Sequence, residues 1–218
     1  MDELIWQVER EWAGETCAII GGGPSLIPAD VEAVRSVGVR AIAVNNAYSD
    51  APWADILLFN DLRWWFWHHD KPGFVAFRGR KATLHQFELK SKYPDDYLLL
   101  GNAHARRGLQ RGLSLTPGGL VPGGNVGYTA MNLAVQLGAA KILLLGVDMG
   151  WHNGRTHCHG GHPVKAKEDC YPVMIQAFHS AVDQLRELDV EVINCSMISR
   201  LGCFPKLSVS EALTKVRS

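Results

Sequence analysis

Four of the nine histidines, His152, His157, His159 and His162, fall within eleven residues. A neutral imidazole near physiological pH can take a proton from a hydroxyl, so one such side chain in reach of an acceptor suffices for general-base chemistry. Three converging imidazoles could instead hold zinc and activate water. The spacing H-x-H-x-x-H (157–162) is not H-E-x-x-H, and no glutamate lies among the histidines. No metal site is therefore assigned. The plainer alternative is a polar loop whose histidines only meet solvent.

The second candidate is the run CAIIGGGPSL (17–26), an apolar strand that breaks into Gly21, Gly22 and Gly23. Glycines at that point let the backbone approach a ligand and turn its N–H groups inward, while Pro24 stiffens the exit and Ser25 can cap or donate. The nicotinamide fingerprint fails: Leu26 stands where its third glycine belongs, and the next strand ends in Asn45 and Asn46 in place of an acid. The phosphate loop of ATPases fails too, because no Gly-Lys-Ser/Thr follows. What is left is a glycine turn facing two amides that can bind a base or ribose without charge. A tight turn that merely packs close is the competing explanation. A second cluster, Gly123, Gly124 and Asn125 with Gly127 beyond, precedes a helical pattern. Asn125 is expected to cap that helix, leaving first-turn N–H groups free. Two glycine-rich helix starts suggest a ligand that carries phosphate.

These residues must be held by a frame. Apolar runs at 16–20, 40–44, 54–59, 74–77, 96–100, 141–146 and 190–195 read as strands; 28–38, 125–138, 171–188 and 208–216 read as helices. Their alternation predicts an α/β fold: a Rossmann-like, mostly parallel sheet with helices on both faces. The chain of 218 residues is expected to be one nucleotide-binding domain. The stretch 60–122 breaks the rhythm and is expected to be an irregular insertion or cap. Within it Trp64, Trp65 and Trp67, beside His68 and His69, could stack on a ring, but packing beneath a loop is favoured; Arg63 is a candidate phosphate partner.

Lys plus Arg and Asp plus Glu balance at 22 each, which removes the general basic field expected of a nucleic-acid or anionic-membrane binder. The arginines of ARRGLQRG (105–112) are read as solvated. Five cysteines without a CxxC pair, together with an N-terminus that is neither secretory leader nor membrane span, point to the cytoplasm. Leu137 and the apolar N-terminal segment leave room for a homo-oligomer.

GGGPSL (21–26), VNNAY (44–48) and PGGNVGYTAMNLAVQLGAAKILLLGVDM (122–149), in this order, resemble a superfamily joining the 6-hydroxymethylpterin diphosphokinase MptE-like proteins to bacterial sialyltransferases of glycosyltransferase family 42. THCHGGHP (156–163) and the segment 194–213 resemble uncharacterised phage-encoded members. The sialyltransferase resemblance implies a nucleotide-activated sugar of the CMP type, held by Gly21, Gly23, Pro24, Ser25, Asn45, Gly124, Asn125 and Gly127, with no cofactor required. It also implies a histidine base after the GxD strand end; His162 matches best in position, with His157 and His159 behind it. That family's tyrosine pair has no clear match in 146–163. The pterin-kinase resemblance implies instead diphosphoryl transfer from ATP with Mg²⁺, for which Asp61 and Asp148 are the candidate ligands, although either can equally cap a loop. A non-catalytic nucleotide-binding or phage-assembly protein stands as the third reading, and the acceptor is not legible.

Overall fold

The computed structural model describes residues 5–84, 97–103, 111–155, 157–158 and 170–214. The sheet is built from short apolar strands. In chain order these are β1 (Thr16–Ile20), β2 (Arg40–Val44), β3 (Ile56–Phe59), β4 (Arg80–Leu84), β5 (Leu98–Asn102), β6 (Gly119–Leu120), β7 (Lys141–Leu145) and β8 (Glu191–Asn194). Their order across the sheet is β6-β5-β4-β3-β2-β1-β7-β8, and every pair is parallel. β1 is central, with Cys17 opposite Arg40 of β2 on one side and Ile142 of β7 on the other. The strands run outward from β1 to β6, then the chain returns to add β7 and β8 on the far side. This reversal beside β1 is where an open parallel sheet forms a crevice at its carboxyl edge.

Parallel sheets must be covered on both faces, and the alternation of strand residues shows how. Cys17, Ile19, Ile42, Ile56, Leu58, Ile142 and Leu144 point into one core, with helices α4 (Val126–Leu137) and α5 (Tyr171–Glu187). Ala18, Ile20, Ala41, Ala43, Leu57, Phe59, Leu143 and Leu145 point into the other, with α1 (Pro28–Val37), α2 (Leu62–His68), α3 (Pro72–Val75) and α6 (Val209–Thr214). α1 starts on Pro28 and stops at Gly38, whose φ of 71° permits the left-handed cap and whose N–H bonds Arg35 O. None of the helices among the described residues is long and apolar enough to cross a membrane.

Two expectations change. The run 74–77, expected as a strand, lies largely in α3 and the turn after it. Phe74 and Phe77 are buried while Val75 between them is 65% exposed, so the residues follow a helical turn instead of alternating. The strand comes later, as β4, where Arg80 and Lys81 had hidden it. Part of the stretch 60–122, expected as an irregular insertion or cap, extends the sheet through β4, β5 and β6. Trp64 and Trp65 pack as favoured, buried in an aromatic cluster with Tyr48, Phe59, Phe74 and Tyr97.

Candidate active site at the carboxyl edge of the sheet

A cavity of about 560 Å³ opens at the carboxyl ends of the strands. β1 contributes Gly21, Gly22 and Gly23; the turn after β2 contributes Asn45 and Asn46; Asn60 and Asp61 follow β3; Asn102 ends β5. Gly124, Asn125 and Gly127 come from the start of α4, Asp148 from the segment after β7, and His157 from the loop beyond it. Residues far apart in the chain thus meet because parallel strands all end on one edge.

The glycine turn is held differently from expectation. Gly21 N–H donates to Leu145 O and Gly23 N–H to Gly146 O, both at 2.8 Å, so these two amides serve β7 and not a ligand. A Cβ on Gly23 would lie 2.5 Å from Asp148 Oδ2 and 2.6 Å from Gly146 O, which is why glycine is required there. Asp148 accepts from Ser25 N–H at 2.7 Å, Ser25 Oγ at 2.6 Å and Ser196 Oγ at 2.5 Å. Its side chain is a clamp joining the glycine turn to the segments after β7 and β8. Both oxygens are engaged in hydrogen bonds within the protein. Ser25 is spent on the same clamp, and neither it nor Pro24 nor Gly123 lines the cavity.

Asp61 is the N-cap of α2, its Oδ1 accepting from Arg63 N–H at 2.8 Å, so the loop-capping alternative describes it. Arg63 is exposed, pairs with Asp61 at 3.4 Å and stays out of the cavity lining. Among the described residues no three His, Cys, Asp or Glu gather as a metal-ligating group.

Asn125 caps α4 as expected, Oδ1 accepting from Tyr128 N–H at 2.9 Å. Its Nδ2 is buried without a hydrogen-bond partner among the described residues, and Oδ1 of Asn45 is in the same state. Buried polar atoms left unpaired are costly and rare in native proteins. Asn45 and Met149, both lining the cavity, also adopt left-handed φ values of 50° and 51°. For methionine that is a strained backbone, of the kind held at functional sites.

His157 lines the cavity, and its neighbour is anchored there: Cys158 N–H donates to Gly22 O at 2.9 Å. His152 is bridged to Arg155 in a tight turn outside the lining. His159 and His162 lie outside the described residues. Asn60, Asn102, Cys170, Tyr171 and Met174 were not anticipated in the lining. A signal existed for the first two, since β3 is followed directly by an asparagine and β5 ends on one, as β2 is followed by Asn45. Tyr171 and Met174 come from the first turns of α5, whose start lies far in sequence from any strand end. No lysine or arginine is found among the described lining residues.

The molecule so defined is a parallel α/β protein of Rossmann-like type with an amide-rich cavity at its topological switch. No protein-family model and no curated protein matches the chain. Solved structures do. The Maf glycosyltransferase of Magnetospirillum magneticum AMB-1 is similar over 98% of this chain, with a TM-score of 0.64 and 17% identity; the chain spans 38% of that protein. The sialyltransferase CstII of Campylobacter jejuni, solved with the substrate analogue cytidine-5'-monophosphate, is similar over 90% of this chain and 86% of its own, with a TM-score of 0.53 and 14% identity. At these identities the likeness is one of fold.

Proposed function

We propose that the chain is a glycosyltransferase that uses a nucleotide-activated sugar of the CMP type. The observation that supports it most is the cavity itself. Amides from β2, β3, β5 and α4 face a space of about 560 Å³ at the carboxyl edge, in a fold shared with a CMP-bound sialyltransferase. Neutral amides suit a base and ribose, and the start of α4 suits an anionic group, since a helix N-terminus presents free N–H groups and partial positive charge. Asn125 Nδ2 adds a donor beside them.

In this reading the donor's phosphate lies at Val126 and Gly127, and a histidine of the 157–162 loop faces the acceptor. The imidazole takes the proton of the acceptor hydroxyl, the oxygen attacks the anomeric carbon, and the glycosidic bond to phosphate breaks with its electron pair leaving on CMP. Positioning and charge stabilisation carry the rate, with the base contributing about 10²–10⁴-fold. His157 is the described member of that loop in the lining. The engagement of both Asp148 oxygens favours this metal-independent reading over Mg²⁺-assisted diphosphoryl transfer of the MptE-like kind.

A thermal-shift panel of CMP, CDP, UDP, GDP and ATP, each with and without Mg²⁺, tests it. CMP without metal, at about 100 times its dissociation constant, should raise the melting temperature by roughly 5–10 °C. Stabilisation by ATP only with Mg²⁺ would move the assignment to the kinase. Binding of CMP without turnover of any CMP-sugar would leave a nucleotide-binding module, such as a phage-assembly protein.

A further inference from the structure

The geometry points to Trp64 as a positioning residue that locks the Asn46 amide, so that this wall of the cavity offers a hydrogen-bond donor and not an acceptor. Trp64 Nε1 donates to Asn46 Oδ1 at 2.6 Å. An indole N–H can only donate, so the amide atom facing it must be the oxygen. The amide is planar, and fixing its oxygen turns Nδ2 away from the tryptophan, on a residue that lines the cavity. The bond to Trp64 is the one hydrogen bond of the Asn46 side chain seen among the described residues, and it leaves Nδ2 as the donor. The opposite flip would set NH₂ against N–H, donor on donor.

The lock is itself rigid. The Trp64 ring stacks on His68, with centroids 4.4 Å apart and planes at 11°, and packs 5.1 Å from Phe59 and 6.0 Å from Phe74. His68 in turn bonds the Tyr48 hydroxyl through Nδ1 at 2.9 Å. Helix α2 is thereby tied twice to the short 3-10 turn Asn45–Tyr48 that carries both asparagines. Asn125 shows the same design elsewhere in the lining, where a backbone N–H claims its oxygen and leaves Nδ2 as the donor. Two amides of fixed sense select a ligand that presents acceptors to both: a phosphate, a carboxylate or the carbonyl of a base. This deepens the proposed function and rests on it.

The test is isothermal titration of CMP into the unaltered protein, Trp64→Phe, Asn46→Ala and the double variant. Trp64→Phe keeps an aromatic ring against His68 but removes the N–H together with part of the indole, and should weaken binding about 3–10-fold. In the Asn46→Ala background the same change should have no further effect, whereas a tryptophan that acted through packing alone would weaken both backgrounds equally. Either that equal loss, or unchanged affinity of a folded Trp64→Phe protein, overturns the inference while leaving the proposed function standing. Failure of the unaltered protein to bind any nucleotide overturns both. Should Trp64→Phe not fold, Asn46→Asp decides: it keeps an acceptor for Trp64 but turns a carboxylate oxygen to the cavity, and must bind CMP more weakly than Asn46→Ala.

Discussion

Asp148 illustrates how a residue that looks chemical can be architectural. Asp148 is 5% exposed, and the donors it gathers come from Ser25 of the glycine turn, 123 positions away in the chain, and from Ser196 in the loop after β8. Hydrogen bonds to a charged acceptor are each worth about 1.5–3 kcal/mol. Asp148→Asn retains one acceptor oxygen and sets NH₂ against the remaining donors, so a loss of about 2–4 kcal/mol in urea unfolding is expected; a loss below about 0.5 kcal/mol would show that the clamp is not what holds the turn. Gly23→Ala should be comparably damaging, because its Cβ would meet Asp148 and the Gly146 carbonyl at once. Gly202→Ala is the matched control, since nothing lies within 4 Å of a Cβ there. Gly21 and Gly23 line the cavity, yet the space a side chain would need at each is taken by the segment at the end of β7. The sequence shows that side chains are missing at 21 and 23, not whether ligand or backbone fills the space.

At the scale of elements, α4 is the piece whose burial the sequence conceals. Asn132 and Gln136 sit four apart in a helix and would ordinarily face water, yet both are buried. Asn132 accepts from Ser114 N–H and Val121 N–H and donates to Ser114 O. Gln136 accepts from Gly118 N–H and donates to carbonyls of Ser114, Thr116 and Gly119. Together they hold the strap 112–121, which carries β6 and leads into the turn before α4. Gln136→Leu would strand Gly118 N–H, a cost of about 1–3 kcal/mol, and hydrogen exchange at that amide should quicken well beyond the change at β1 amides. Equal change at both places would mean global destabilisation and no strap. Helices α1, α4, α5 and α6 and most strands were legible because apolar period and terminal Pro and Gly signals are local, whereas the short α2 and α3, within a stretch expected to be irregular, were not. β4 was not, because its first two residues, Arg80 and Lys81, belong to the sheet's charged amino edge, and β6 is two residues long. The strap was invisible for a related reason: its hydrogen bonds join side chains to backbone across about 20 positions.

At the scale of the whole molecule, the ion pairs among the described residues that tie strand ends together gather at one edge of the sheet. Glu15–Arg40–Asp55, Arg80–Glu11 and Lys141–Glu191 pair around the amino ends of the strands, while the carboxyl edge carries Asn45, Asn46, Asn60 and Asn102. An asparagine near a strand's carboxyl end is therefore a fair site signal here, with Asn194 of β8 as the exception, since both its amide atoms bond backbone of the following loop. The interior between the edges holds thiols and a phenol that burial keeps protonated. Burial pushes Cys195 up from the ordinary 9.0 to about 12, Cys203 to about 11 and Tyr128 from 10.0 to about 12, with Cys17 raised as well. In the unfolded chain these groups lose their protons first, so between pH 9 and about 12 the native state binds more protons than the unfolded one. Stability is then fully present below pH 9 and declines as pH rises through that window. The melting temperature should hold level from pH 7 to 8.5 and fall steadily above 9, and Cys195→Ala should flatten the fall, because alanine has no proton to lose. A profile that stays level to pH 11, or one that Cys195→Ala leaves unchanged, would mean that the protein's interior does not keep these groups from ionising.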